Sequence, residues 1–495
     1  MTAKDKGFSG GYKFAGFSGQ PKDSVVFAGV GGKVAIPLKQ GCGEEVAPLV
    51  EVGDEVRAGR IIGRSDDSVS SPVHSSVNGK VVGIETIDYP DGQRTVVVIE
   101  SDGTDDWQTL EGYSAKWEGL SQEDLERLIY LSGASAAGRC GIPTRFRSSV
   151  TGPDDVEDVI VCGLEAEVYN CSADDLLKDE RITAFAEGVK ILRKVMAGAR
   201  VHVVLDNSRT ATIAEVSRLL AGTDGVKVCG MESRYPAHYD EVLVPTVLDR
   251  EFPYGYSAAN IGVIVVDVEA VIRVYEAVAK GKAVIESTVA LCGEGFSENV
   301  YVKARIGTPL EAVIDGRKKP DKAIRFVRNS CLTGETIGDL SAPMCRELRM
   351  LVGLVEGNER EFMSFLRPGV NRDSFSKVFL SAVFKGKDSK NCNTNLHGEG
   401  RPCIFCGYCQ DACPTGLIPH LLFHYVEKGL TDERLVNFRI FNCIECNLCS
   451  YVCVSKIALA GHIRDGKKKL AEEGLKSPTP TAFLKGIEQE AATGR

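Results

Sequence analysis

Two short runs near the C-terminus concentrate residues whose type and spacing carry chemistry. CIFCGYCQDACP places Cys403, Cys406, Cys409 and Cys413 before Pro414, and CIECNLCSYVCV places Cys443, Cys446, Cys449 and Cys453. Both read C-x2-C-x2-C-x3-C, the spacing of bacterial two-cluster ferredoxins. Three thiolates at that spacing wrap one face of an iron–sulfur cubane, and the fourth points toward a neighbouring one. The expected ligand sets therefore cross: Cys403, Cys406, Cys409 and Cys453 on one [4Fe–4S] cluster, Cys443, Cys446, Cys449 and Cys413 on the other. Zinc also takes C-x2-C pairs, but a four-ligand zinc site has no use for a crossed repeat. Val454 stands where such motifs usually carry proline, which shapes a turn and is not a ligand.

The other nine of the seventeen cysteines, Cys42, Cys140, Cys162, Cys171, Cys229, Cys292, Cys331, Cys345 and Cys392, show no ligand spacing. Most read as buried structural thiols, because disulfides are disfavoured in the cytoplasm. His420 and His424 sit at i, i+4 but lack the acidic partner of an H-E-x-x-H site, and read as structural. AGVGGKV (28–34) lacks a full nucleotide-binding glycine frame and reads as a turn entering a strand.

The 495 residues call for two to four domains. With 43% hydrophobic and 26% charged residues the composition is that of a soluble protein. A net charge of -9 argues against nucleic acid and against direct binding to anionic lipid. There is no run of eighteen apolar residues, and MTAKDKGFSGG lacks the apolar core of a signal peptide. The expectation is a cytoplasmic protein whose membrane link runs through a protein partner.

Outward from the cysteines, EVGDEVRAGRIIG (51–63) and SPVHSSVNGKVVGI (71–84) resemble the halves of a biotinyl/lipoyl-type barrel-sandwich. The segment between them, RSDDSVS, has no lysine, which predicts a scaffold and not a swinging arm. Ser121 and Asp124 form a capping box ahead of Leu125, Leu128 and Ile129 on one helical face. From there strands alternate with helices: DVIVCG, a helix over 182–198, RVHVVLDN, TATIAEVSRLLAG, VKVCG and IGVIVVDV. That order predicts a Rossmann-like parallel sheet. Short strands return from 283 to about 335, with LEAVID helical, as in a small beta-grasp domain. LRMLVGLVEG and EFMSFL read as amphipathic, and 385–402 as a linker. Pro419 opens a helix between the cysteine runs, and a second helix follows from Thr431.

A barrel-sandwich, a Rossmann-like domain, a beta-grasp (SLBB-type) domain and an alpha-helical dicluster ferredoxin domain, in that order, resemble one family. It is the RnfC family of the Rnf electron transport complex, with its relative, the NqrA family of the sodium-translocating NADH–quinone reductase. The likeness covers about residues 12–470. VGDEVRAGRIIG, RIGTPLEAVI and CIECNLCSYVC are closest to RnfC. KFAGFSGQP, RNSCLTGET (328–336) and FLRPGVNRDSFSKVFLS (365–381) are closer to NqrA, which usually lacks the cysteine ligands. The resemblance implies a multidomain α/β and α+β fold. It is divided as 1–115 barrel-sandwich, 116–255 Rossmann-like, 256–340 beta-grasp, 341–392 connector, 393–468 ferredoxin domain and 469–495 polar tail.

The family's flavin and NADH pocket maps onto Gly138, Gly141, Glu165 and Glu167. Its G-L-G-G-A-G-F-P-T loop reads AAGRCGIPT here, with Arg139 and Cys140 where small residues belong. Its E-C-E-P-Y segment reads Glu165-Ala-Glu-Val-Tyr169, and RNSCLTG replaces a further glycine-rich segment. Glycines admit a phosphate that side chains obstruct, so FMN and NADH binding is not expected.

The resulting expectation is an electron-transfer subunit, peripheral on the cytoplasmic side of the cell membrane. It would work with membrane-embedded and iron–sulfur subunits of an ion-translocating oxidoreductase, and with NADH or a soluble redox carrier as donor. The alternative is an NADH-oxidising FMN and iron–sulfur dehydrogenase subunit of the same complex. A cobalamin reductase combines similar parts, but there the barrel comes at the other end.

Overall fold

The computed structural model describes residues 7–475 except 30, 42, 66–68, 90–91, 137–140, 147, 165, 170–176, 358–368, 383–389 and 397–398. The fold is the mixed, multidomain α/β and α+β arrangement that the sequence predicts.

The N-terminal barrel-sandwich has two sheets. One has the order β2 (Lys33–Pro37), β8 (Gly92–Ser101), β7 (Gly79–Tyr89), β4 (Glu55–Val56), and the other β3 (Ala47–Pro48), β5 (Ile61–Arg64), β6 (Val73–His74). Alternation sets the inner face, where Val34, Ile36, Ile62, Val73, Val81, Val97 and Ile99 are buried in one core. His74 fastens this domain to the next, its Nε2 donating to the Leu131 carbonyl at 2.7 Å.

The second sheet is parallel throughout, in the order β11 (Val226–Met231), β10 (Arg200–Asp206), β9 (Asp158–Gly163), β12 (Val263–Asp267). The Val- and Ile-rich runs of β9, β10 and β12 are almost wholly buried, as sheets covered on both faces require. The Ser121 capping box opens α1 (Gln122–Leu131). That helix packs with α2 (Glu180–Val195) and with α5 (Val268–Lys280). Gly188 lets α2 and α5 meet, since a Cβ there would run into the Val271 carbonyl. On the opposite face lie α3 (Thr210–Leu219), and α4 (Asp240–Leu248) over Ile160, Val204 and Val265.

The third sheet is mixed and six-stranded: β1 (Lys22–Phe27), β14 (Val300–Arg305), β13 (Glu286–Cys292), β17 (Met350–Val355), β15 (Ile324–Arg328), β16 (Glu335–Ile337). The short α6 (Leu310–Ile314) falls on LEAVID. Two members were not evident from local pattern. β1 lies nearly 260 residues before the strands it joins and pairs in parallel with β14. β17 occupies LRMLVGLVEG, read as amphipathic, yet residues 350–354 are buried in succession as a central strand requires. EFMSFL lies outside the described residues, as does part of the expected linker.

The C-terminal domain carries α7 (Tyr408–Asp411), α8 (Pro419–Glu427), α9 (Glu433–Asn437), α10 (Leu448–Tyr451) and α11 (Leu459–Glu472). Pro419 sits in the first turn of α8, and the next helix starts at Glu433 under an Asp432 cap, two residues later than Thr431 suggests. No helix among the described residues is long and apolar enough to cross a membrane.

Candidate iron–sulfur centre and adjoining cavity

The two cysteine runs build the same local structure twice. Every feature recurs forty residues on (443 − 403 = 40): the cysteines themselves, α7 with α10, and the starts of α8 and α11. The left-handed residues recur too: Phe405 with Glu445, Gly407 with Asn447, and Gly416 with Lys456. Non-glycine residues at positive φ are uncommon, so their equivalent placement shows that one loop conformation has been imposed twice. It turns the thiols of a run inward around a common point.

The fourth cysteine of each run joins the other run. Cys403, Cys406, Cys409 and Cys453 line one small cavity, closed by His420, Ile457 and Leu459. Cys413 stands among Cys443, Cys446 and Cys449, close enough that their charges raise one another. Burial pushes the Cys409 thiol up to about 11 and that of Cys446 up to about 12, and also raises Cys443 and Cys449. Such thiols resist ionising alone and are suited to a ligand that brings positive charge.

Among the described residues no three His, Cys, Asp or Glu side chains are grouped as ligands of a single metal ion. Four sulfurs on one zinc would stand roughly 3.8 Å apart, from a Zn–S bond of about 2.3 Å. A cubane keeps its ligand sulfurs farther apart, each on its own iron. Thiols that converge on a shared cavity without closing onto one ion fit a [4Fe–4S] group.

The two centres differ in their surroundings. Cys406 is exposed, with Ile404 and Phe405 each 64% exposed beside it, whereas Cys446 and Cys449 are buried. His420, read from sequence as structural, lines the first centre with Nδ1 3.5 Å from Cys409 Sγ. His424 stacks on Phe405. At the second centre the buried Lys467 donates to the Cys443 carbonyl at 2.6 Å and pairs with Glu445 at 2.9 Å. Its signal in the sequence was a lysine on the inward face of an amphipathic helix.

A larger cavity of about 540 Å3 opens beyond the carboxyl ends of β9, β10 and β11, where open parallel sheets bind ligands. Glu167, Asp206, Ser208, Arg209 and Ser233 follow those strand ends, and Arg209 precedes the N-terminus of α3. Glu167 accepts from Ser330 Oγ at 2.9 Å and faces His238 Nε2 at 3.4 Å. Of the four positions mapped to a flavin site, Glu167 lines this cavity and Gly141 does not, while Gly138 and Glu165 lie outside the described residues. Arg139 and Cys140 lie outside them too.

Three further lining residues, Lys13, Phe14 and Gln20, come from the N-terminal stretch KFAGFSGQP, whose family likeness was their signal. That stretch threads between the cavity and the cysteine domain. Gly11 N donates to Ala412 O, Tyr12 bridges Tyr235, and a Cβ at Gly10 would run into the backbone of Cys413. Tyr235 lines the cavity and donates to the Cys446 carbonyl at 2.7 Å.

Three family models match the chain: the RnfC barrel sandwich hybrid domain over residues 7–104, the Nuo51 FMN-binding domain over 129–276, and the 4Fe-4S dicluster domain over 402–457. A relative from Clostridium ljungdahlii, one subunit of a "Proton-translocating ferredoxin:NAD(+) oxidoreductase complex", is 26% identical over 84% of this chain and 84% of its own length. The corresponding subunit of the "Ion-translocating oxidoreductase complex" of Pseudomonas aeruginosa is 29% identical over 88% of this chain, and that of Yersinia pseudotuberculosis 27% over 88%. The chain spans only 52% and 58% of the length of those two. An NAD+-reducing [NiFe]-hydrogenase chain in the H2-reduced state aligns at a TM-score of 0.42 and 12% identity, over 78% of this chain and 70% of that one. With its three domains in this order and these relatives matching along most of its length, the chain belongs to the RnfC family.

Proposed function

We propose that this chain is the peripheral iron–sulfur subunit of an Rnf-type ion-translocating oxidoreductase, relaying single electrons between its large cavity and a partner subunit. The observation that carries this is the convergence of the eight thiols into two crossed sets of four, one buried beside the cavity and one at the surface. Bound there, two [4Fe–4S] clusters supply one-electron acceptors whose potentials follow charge, hydrogen bonding and exposure. Cys413, Cys443, Cys446 and Cys449 would hold the inner one, with Lys467 supplying positive charge and Tyr235 joining their loop to the cavity wall. Cys403, Cys406, Cys409 and Cys453 would hold the outer one. Around it the exposed Ile404 and Phe405, with Arg401 and Lys456 nearby, present a face to a partner. The domain boundaries expected from the sequence are proposed unchanged, with β1 and β17 adding their strands to the beta-grasp sheet.

A second reading is favoured by the cavity itself, which is large enough for a mononucleotide and stands in the segment that matches an FMN-binding domain. Bound there, FMN would exchange two electrons with NADH and one at a time with the clusters. Lys13 and Arg209, with the N-terminus of α3, would hold its phosphate, and Glu167 would be positioned by Ser330. Anaerobic isolation followed by flavin analysis separates the two readings. A flavin-free chain whose clusters are reduced by a small one-electron donor and not by NADH supports the relay alone. Stoichiometric FMN with NADH-driven reduction supports the second reading. Absence of iron would sink both.

A further inference from the structure

Two of the cysteines outside the crossed sets are brought together by the fold. Cys331 lies in the loop after β15, and Cys392 lies sixty-one residues on (392 − 331 = 61), next to Asn393, which bridges Val355. Their thiols hydrogen-bond to each other. The hydroxyl of Tyr169 lies against the Cys392 sulfur while donating to the Ser18 carbonyl at 2.9 Å. Both cysteines pack in one apolar cluster with Val168 and Tyr301, which also wall the large cavity. Both are partly exposed, whereas Cys292 in the same cluster is wholly buried.

The pair is asymmetric. The hydrogen bond from Cys331 holds Cys392 below the ordinary thiol value, while the same bond, with burial, pushes Cys331 well above it. One sulfur is thus disposed to attack and the other to keep its proton until needed. Two thiols packed only to fill a core would be expected to be equivalent and fully enclosed.

We propose that Cys331 and Cys392 are a redox-active dithiol that closes to an internal disulfide when it meets a disulfide-bearing oxidant. The Cys392 thiolate attacks one sulfur of the oxidant, forming a mixed disulfide and expelling one thiolate, which takes up a proton. Cys331 then gives up its proton, attacks the Cys392 sulfur and releases the second external thiol. Two cysteine thiols are oxidised, one external disulfide is reduced to two thiols, and no electron passes through the clusters.

The new bond ties the segment leading into the cysteine domain to a loop with two other attachments. Leu332 of that loop accepts from Asn447 Nδ2 at 2.8 Å, inside the second cysteine run, and Ser330 holds Glu167 at the cavity. The dithiol therefore sits where the cavity and the inner four-cysteine set share a support.

The test exposes the iron-loaded, full-length protein to oxidised glutathione without oxygen, blocks the remaining thiols, and maps the peptides by mass. The expected result is a cross-linked peptide joining Cys331 to Cys392, two hydrogens lighter than the free pair and restored by dithiothreitol. In C331S the glutathione should remain on Cys392, and in C392S the modification of Cys331 should be slower by roughly tenfold or more. The proposal is overturned if wild-type protein forms no such cross-link while other cysteines react. It is equally overturned if bound iron exceeds that of two clusters and falls in both variants, which would make these thiols metal ligands.

Discussion

The Tyr235 hydroxyl, on the wall of the large cavity, donates a 2.7 Å hydrogen bond to the carbonyl of Cys446 in the inner four-cysteine loop. Burial raises the phenol far above its ordinary value, so it stays protonated and remains a donor throughout the working range. One side chain thus borders both the cavity and the inner centre. Y235F keeps the ring and leaves a buried carbonyl without its donor, a loss on the order of 1–3 kcal/mol. Faster release of iron to a chelator, with a lower melting temperature, is the expected outcome, and unchanged release would remove Tyr235 from the support of that centre.

Crossed ligation makes an unusual mutational prediction. C413S lies in the first run but should perturb the inner cluster, and C453S lies in the second run but should perturb the outer one. EPR of the reduced variants, compared with C446S and C406S as references, checks this. If C413S behaved like C406S instead, the sets would not cross.

Lys467 places a buried positive charge on the backbone of Cys443. K467M should lower the reduction potential of the inner cluster by tens of millivolts, on the order of one charge at roughly 9 Å in an effective dielectric near 20. A redox titration followed by EPR reads the two clusters separately, and the outer one should move little.

His74 is held neutral in its buried site at the junction of the barrel-sandwich and α1. Burial first, then the charge of Arg346, lowers it to about 3 from an ordinary 6.5. The unfolded chain therefore binds a proton that the folded chain refuses between those values. Stability from this site is complete above about pH 6.5 and falls away as the pH drops toward 3. H74Q keeps a donor for the Leu131 carbonyl without the titration. Its stability relative to wild type should rise as the pH falls through 6 to 4 in denaturant unfolding, and parallel curves would contradict the assignment.

How much of this could be read from the chain depends on whether the signal was local. The capping box at Ser121, the strands β9 to β12 and the cysteine spacing are local patterns, and each shows where expected. β1 and Lys13 needed a partner hundreds of residues away, which no periodicity encodes. β17 was missed because an apolar run of six residues looks alike in a buried strand and a buried helix. His420 was set aside for lacking a zinc-protease pattern, yet its place beside Cys409 follows from the forty-residue repeat. The resemblance supplied the order of domains. The large cavity shows that the broken glycine pattern at 136–144 does not by itself remove room for a ligand.

The central claim is that eight cysteines hold two four-iron clusters in crossed sets. The most direct test is iron analysis with EPR on anaerobically isolated protein reduced by dithionite. The account predicts about eight irons per chain and a spectrum broadened by coupling between two nearby reduced [4Fe–4S] clusters. Zinc in place of iron, or about four irons with a single uncoupled signal, would contradict it.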